Sequence, residues 1–323
     1  MNQLPSEIIS YILNYLEDTV DVINFSVTNK HNRNLLLKNM DIYNSICTLN
    51  NEFITTEFIT EFIFGKLKVK INDVNIYNKL QPSIINKIKI IDLSNTSISD
   101  VSMLGNCEEL NLSNCPNITD VSMLGKVKKI NLSNCKGITD VSMLGNCEEL
   151  DLSNYNGIKN LSNSNGITDV SALGKVKKLN LTLCYKVIDV SMLTDVKVLN
   201  LSGCVNITNV SALGNCEELN LSNLYILSDV STLGNVKKLY LRNCINVTNV
   251  NMLNKCSYLD LSKCTGITDV SGLVNVKRIN LSGCINVTNV NMLNKCSYLN
   301  LSNCTGITDF SGLGNVKKLI LSN

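Results

Sequence analysis

The sequence predicts an α/β repeat: a short helical head followed by a curved solenoid with a parallel sheet on its concave face. Three observations carry that expectation. Pairs of apolar residues two apart begin at Ile91, Leu110, Ile130, Leu150, Leu179, Leu199, Leu219, Leu239, Leu259, Ile279, Leu299 and Leu319. They recur every 20 residues, apart from one step of 19 and one of 29. Each pair is followed by apolar residues at every third position, and residues 4–16 ahead of the array carry a helical stripe.

The head begins Leu4-Pro5-Ser6-Glu7-Ile8. Pro5 suits a first helical turn, and Ile8, Ile12, Leu13 and Leu16 share one face. Asp18 and Asp21 break that helix; Val22, Ile23, Phe25 and Val27 begin a second, and Lys30 to Asn44 can carry a third. Residues 53–64 pair apolar residues every four or five positions, which predicts a helix, and Leu67 to Ile71 alternate as a strand does. Pro82 and the run to Lys89 lead into the first repeat. The organisation expected is a head over 1–46, a connector and N-terminal cap over 47–90, and a solenoid of about twelve coils over 91–323.

One coil reads Cys107, Leu110, Leu112, Cys115, Ile118, Val121, Leu124. Leu110 and Leu112 alternate with polar neighbours, so they face one side of a strand. The later spacing of three suits a 3₁₀ turn better than an α-helix, and 20 residues leave no room for a long helix. Such a coil can bury its apolar ring only against the coils above and below. Asp or Asn stands before each turn, from Asp100 to Asp309, where its side chain can accept a free N–H. Gly105, Gly125, Gly145 and their equivalents follow the turn, where a positive φ is expected. The long step holds a repeated phrase, Leu152 to Ile158 and Leu161 to Ile167. Residues 153–164 are therefore expected to leave the coil as a loop, either from repeat slippage or as a binding loop.

The coil resembles the leucine-rich repeat. Its Cys-x-x-Ile-Thr-Asp phrase is similar to the cysteine-containing subclass, and its short Asp-Val-Ser-x-Leu turn to internalin-like coils. The head resembles the F-box over about 2–45, through Leu4, Pro5, Glu7, Ile8, Ile12, Leu13, Tyr15 and Leu16, then Asp21 to Ile23 and Ser26, Val27 and Lys30. Asn29 and Asn32 stand where F-boxes often carry Cys and Trp. The resemblance implies that Leu4, Pro5, Ile8, Ile12, Leu13 and Leu16 would bind a Skp-family adaptor. The chain would then recruit a target protein to a cullin-type ubiquitin ligase, contributing proximity. The alternative is a helical cap on a non-degradative interaction scaffold. The layout and the heavy use of Asn, Ile and Lys resemble F-box and repeat proteins of giant DNA viruses or amoebae.

Composition narrows the chemistry. Basic and acidic residues nearly balance, 29 against 27, which argues against nucleic acid or a membrane as the main partner. A single His, His31, removes most His-based catalysis and zinc binding. Thirteen of the 14 Cys lie in the array in two inward columns, with no Cys-x-x-Cys pair. They are expected to be packed, reduced thiols. With no signal-like N-terminus and no long apolar run, the chain is expected in the cytoplasm or, if viral, in that of the host or its nucleus. No nucleophile, phosphate loop or metal-ligand set recurs, so no enzyme activity, cofactor or metal is expected.

The charges before successive strands mostly alternate: Glu108-Glu109, Lys128-Lys129, Glu148-Glu149, Lys177-Lys178, then Glu217-Glu218 and Lys237-Lys238. At strand spacing this predicts a ladder of attracting neighbours. The outward residues of the strands are mostly Asn and Ser. Tyr240, Arg242, Tyr258, Asp260, Arg278 and Tyr298 depart from that monotony in the C-terminal third. Tyr and Arg anchor interfaces, so these six are the expected target-binding patch. The chain ends Leu319-Ile320-Leu321 with no polar cap, which predicts fraying or self-association at that end.

Overall fold

The computed structural model describes residues 46–49, 68–71, 73–80, 82–86, 88–154 and 166–322. The expected head, apart from Ile46, lies outside these residues, with Leu4, Pro5, Ile8, Ile12, Leu13 and Leu16. So does the helix expected over 53–64.

Among the described residues, fourteen strands form one sheet in chain order, and every neighbouring pair is parallel. The sheet starts upstream of the first repeat, with β1 (Ile46–Leu49) and β2 (Lys68–Ile71). The strand expected from Leu67 is thus present one residue later. Two short helices follow, α1 (Val74–Lys79) and α2 (Pro82–Ile85). Asp73 starts α1 by accepting the Asn75 N–H at 2.8 Å. Val69, Ile71, Ile76, Tyr77, Leu80, Ile85 and Ile88 are buried in the same core as Ile91 and Leu93, so this stretch shares the solenoid's interior.

The repeats supply the other strands: β3 (Ile90–Asp92), β4 (Glu109–Asn111), β5 (Lys129–Asn131), β6 (Glu149–Asp151), β7 (Lys178–Asn180) and β8 (Val198–Asn200). They continue as β9 (Glu218–Asn220), β10 (Lys238–Tyr240), β11 (Tyr258–Asp260), β12 (Arg278–Asn280), β13 (Tyr298–Asn300) and β14 (Leu319–Ile320). The repeat solenoid implied by the periodicity is therefore present.

Each coil folds for local reasons. The central strand residue points inward, as Leu110 does opposite Ile130, and is buried because parallel pairing stacks identical positions. The return path is a 3₁₀ turn, such as Ser102–Leu104 or Ser122–Leu124, as the spacing of three predicts. Before it, the Asp100 carboxylate accepts the Ser102 N–H at 2.9 Å. The same bond recurs at the Asp or Asn of every later coil through Asp309.

The glycine expectation is corrected. Gly105 and Gly125 sit at φ −63° and −61°, ordinary right-handed values. They approach the next coil closely: a Cβ on Gly105 would clash with the Met123 carbonyl oxygen. Positive φ occurs instead just after the strand, at Asn95, Asn114, Asn134, Asn223, Asn243 and Asn303, and at Gly203 and Gly283. Asn tolerates that conformation; Leu183 and Lys263 adopt it at a steric cost.

The 29-residue step does not shift the ladder. Leu150 pairs with Leu179, and the Leu152 N–H reaches the Asn180 carbonyl at 2.8 Å, as in ordinary coils. Ser153 and Asn154, expected to open the loop, keep the ladder instead, with the Asn154 N–H on the Thr182 carbonyl at 2.9 Å; from 155 on the expected loop lies outside the described residues. In the last coil Val316 and Leu319 are half-buried, whereas Cys296 and Leu299 one coil earlier are buried.

Candidate functional site

Two columns of side chains flank the inward residue of each strand and cover the sheet's outer face. One column carries Asp92, Asn111, Asn131, Asp151, Asn180, Asn200 and Asn220, and resumes at Asp260, Asn280 and Asn300. These side chains are not free for recognition. Each Oδ1 accepts the N–H two residues on, as Asn111 does from Ser113 at 3.1 Å, and so shapes the turn that leaves the strand. From β3 to β13 the exception is Tyr240, which has no oxygen in reach of that N–H.

The other column reads Glu109, Lys129, Glu149, Lys178, Val198, Glu218, Lys238, Tyr258, Arg278, Tyr298, Lys318. Its first part is the expected charge ladder. Lys129 Nζ lies 2.8 Å from Glu109, Lys178 2.8 Å from Glu149 and Lys238 3.0 Å from Glu218. Outside it, Lys177 approaches Glu148 at 3.4 Å and Lys237 approaches Glu217 at 3.6 Å. Hydrogen bonds donated to Glu109 and Glu218 raise the pKa of Lys129 and Lys238, and the hydrogen bond from Lys178 lowers that of Glu149. All of these groups are substantially exposed, so the ladder opposes slippage more than it adds stability.

From β11 onward tyrosine takes the place of the carboxylate. The Arg278 guanidinium lies 5.6 Å from the ring centroids of both Tyr258 and Tyr298, and Lys318 Nζ lies 5.7 Å from Tyr298. Tyr258 also packs on Tyr240, with centroids 5.2 Å apart and planes tilted by 46°. The Tyr240 hydroxyl donates to Glu218 at 3.4 Å, joining this lane to the salt-bridged part of the face. Burial, then nearby carboxylates, raises the pKa of both Tyr240 and Tyr258.

Of the six predicted residues, Tyr240, Tyr258, Arg278 and Tyr298 thus meet in one continuous lane. Asp260 stands opposite Tyr240 in the pairing, but its Oδ1 serves the turn by accepting the Ser262 N–H at 2.9 Å. Arg242 is exposed two residues beyond Tyr240 and makes no ring or ion-pair contact among the described residues. Lys318 was missed by sequence reasoning; its place in the same column as Arg278 is the signal that finds it. Charge changes along the chain as well. From residue 239 to the end there are eight Lys and Arg against three Asp and no Glu.

A hollow of the face lies elsewhere, over β3–β8. It is an open trough of ≈ 530 Å³ bordered by Glu109, Lys129, Glu149, Lys178 and Val198. Its charges are already paired, which leaves little to hold a ligand specifically. Among the described residues, Asn134 Oδ1, Ser153 Oγ and Asn154 Oδ1 are buried polar atoms without a partner, at the base of the long step.

The thiols behave as expected. Thirteen described cysteines are free and buried. Those after the strands donate to the carbonyl of the preceding coil: Cys135 to Leu112 at 3.0 Å, Cys204 to Leu181 at 3.0 Å, Cys264 to Leu241 at 2.9 Å. Thr96 fills the same position in the first repeat and donates to Leu93 at 2.7 Å. Burial pushes Cys204 up to about 12 and Cys296 up to about 11, so neither is a thiolate at neutral pH.

No family model and no curated protein matches the chain. Solved structures of similar shape include an internalin from Listeria monocytogenes, at 18% identity and a TM-score of 0.46, covering 77% of this chain and 93% of that one. The functional domain of InlJ from the same organism, which includes a cysteine ladder, is 18% identical with a TM-score of 0.46, covering 74% and 64%. A leucine-rich-repeat protein of Leptospira interrogans is 17% identical with a TM-score of 0.47, covering 74% of each chain. None of these similarities bears on what this chain binds. Among the described residues, no helix is long and apolar enough to cross a membrane.

Proposed function

We propose that this chain is a protein-recognition scaffold that binds a partner through the outer face of β10–β14. The observation that supports this reading is the Tyr240, Tyr258, Arg278, Tyr298 lane. There the ladder of matched charges gives way to aromatic and cationic side chains, and the turn-forming Asn of β10 is replaced by Tyr240. Tyr and Arg are the side chains that most often carry binding energy. A column of buried, protonated thiols suits a reducing cytoplasm.

The finer reading rests on the head. Its likeness to an F-box makes the scaffold the target-recognising subunit of a cullin-type ubiquitin ligase, with Leu4, Pro5, Ile8, Ile12, Leu13 and Leu16 holding a Skp-family adaptor. Catalysis then belongs to the ligase, and this chain contributes proximity. The test is binding of a purified Skp-family adaptor to the full chain and to Ile8→Asp. Binding by the parent, lost in a variant with unchanged circular dichroism, is the expected result. Absence of binding by the folded parent would make the head a helical cap and the chain a non-degradative scaffold.

A further inference from the structure

We infer that the β10–β14 lane takes an extended, carboxylate-rich segment of its partner, seated on Arg278 and Lys318. This rests on the recognition reading above and names the chemistry of what is recognised.

The argument begins with how the same column treats its own glutamates. Lys129, Lys178 and Lys238 each hold a Glu of the preceding coil at 2.8–3.0 Å. The column therefore binds carboxylates wherever one is supplied. Beyond Lys238 none is supplied: Tyr258 and Tyr298 stand in the carboxylate positions, and the sequence has no Glu after Glu218. Arg278 and Lys318 rest on ring faces instead. A cation on a ring keeps its charge, and a stacked guanidinium keeps its edge N–H groups available to a carboxylate. Arg278 is moreover held between two rings, so less side-chain entropy is lost when an anion arrives.

Spacing fits an extended chain. Arg278 and Lys318 are two strands apart, roughly 10 Å at the usual strand separation, which lies between the separations of about 7 and about 13 Å of same-face residues two and four apart in an extended peptide, within reach of Glu, Arg and Lys side chains. Arg242, exposed beside Tyr240, adds positive charge at the other end of the lane. Nucleic acid fits less well. Single strands need open aromatic planes for bases to stack on. Here Arg278 lies over the rings of Tyr258 and Tyr298, and Tyr240 packs against Tyr258.

The test is fluorescence anisotropy of the full chain with a labelled Glu-Ser repeat peptide, its Gln-Ser counterpart, its phosphoserine counterpart in which Gln replaces Glu, and an oligothymidylate. The Glu peptide is expected to bind more weakly as salt rises, and the Gln peptide not to bind. Arg278→Gln and Lys318→Gln are each expected to weaken binding about tenfold, the loss of one charge-assisted hydrogen bond. Lys129→Gln and Lys178→Gln, on the neutralised part of the column, are expected to leave it unchanged. Equal binding of the Gln peptide, indifference to both C-terminal variants, or binding confined to the phosphopeptide or the oligonucleotide would overturn the assignment. Adaptor binding by the same preparation is read independently. Retained adaptor binding with no peptide binding removes this inference and leaves the ligase reading; the converse removes the ligase reading alone.

Discussion

The Arg278 guanidinium carbon lies 5.6 Å from the centroid of the Tyr258 ring. The two residues are 20 apart in sequence and directly paired across β11 and β12. An exposed cation–π contact of this kind contributes about 0.5–1 kcal/mol. A double-mutant cycle of Arg278→Met and Tyr258→Leu, followed by urea unfolding with tyrosine fluorescence, is therefore expected to show coupling of about 0.5–1 kcal/mol. Strictly additive losses would mean that the two side chains are merely neighbours.

The turn aspartates make stability depend on pH. Hydrogen bonds from the backbone N–H and side chain of the Ser two residues on hold Asp100, Asp120, Asp140, Asp169, Asp189 and Asp229 below the usual carboxylate value. A lower pKa in the folded chain means that protonation favours unfolding. This contribution is complete above about pH 4, the unfolded value, and is lost as pH falls through the lower folded value. The urea midpoint is expected to fall in that acid range. Changing Asp120, Asp140 and Asp169 together to Asn should flatten the fall with little loss at neutral pH, because Asn209, Asn249 and Asn289 already make the same bond. An unchanged acid profile in that variant would place the pH dependence elsewhere.

The thiol column predicts both inertness and a specific substitution pattern. In the native chain the array cysteines are expected to resist a disulfide reagent at mildly alkaline pH and to react on unfolding, because burial keeps them protonated. The substitution Cys264→Ala removes both buried volume and the donor to Leu241, with an expected loss of about 1–3 kcal/mol. Cys264→Thr should recover part of that by returning a hydroxyl donor to a position that Thr96 fills in the first repeat, where it donates to Leu93 of its own coil. If the Cys264→Thr variant unfolded as easily as the Cys264→Ala variant, the hydrogen bond would contribute nothing.

Much of the molecule was legible before any coordinates. Burial repeats in step with the coil, so Leu110, Leu112, Ile118, Val121 and Leu124 announced both the strand and the 3₁₀ turn. Asp100 and its successors announced the turn's hydrogen bond. Tyr258, Arg278 and Tyr298 came together because identical positions of successive coils must stack, and Tyr240 joins them from the neighbouring column. What failed was what depends on neighbours rather than on period. Gly105 and Gly125 abut the carbonyl of the next coil and adopt no positive φ, and Asn254 and Val274 occupy the same position with similar φ. Strand β1 carries no repeat signal and exists through its pairing with β2.

By itself, then, the sequence determined the coil: its length, its buried ring, its capped turn and the order in which coils stack. These follow from local periodicity, which a chain cannot satisfy in any other way without exposing the ring. Only the tertiary structure decided that the Arg278 guanidinium rests on the rings of Tyr258 and Tyr298 while Asp260, expected in the same patch, is taken by the Ser262 N–H. That outcome depends on distances between side chains of different strands and on competition from the backbone of the turn. Neither is written in the spacing of residues along the chain.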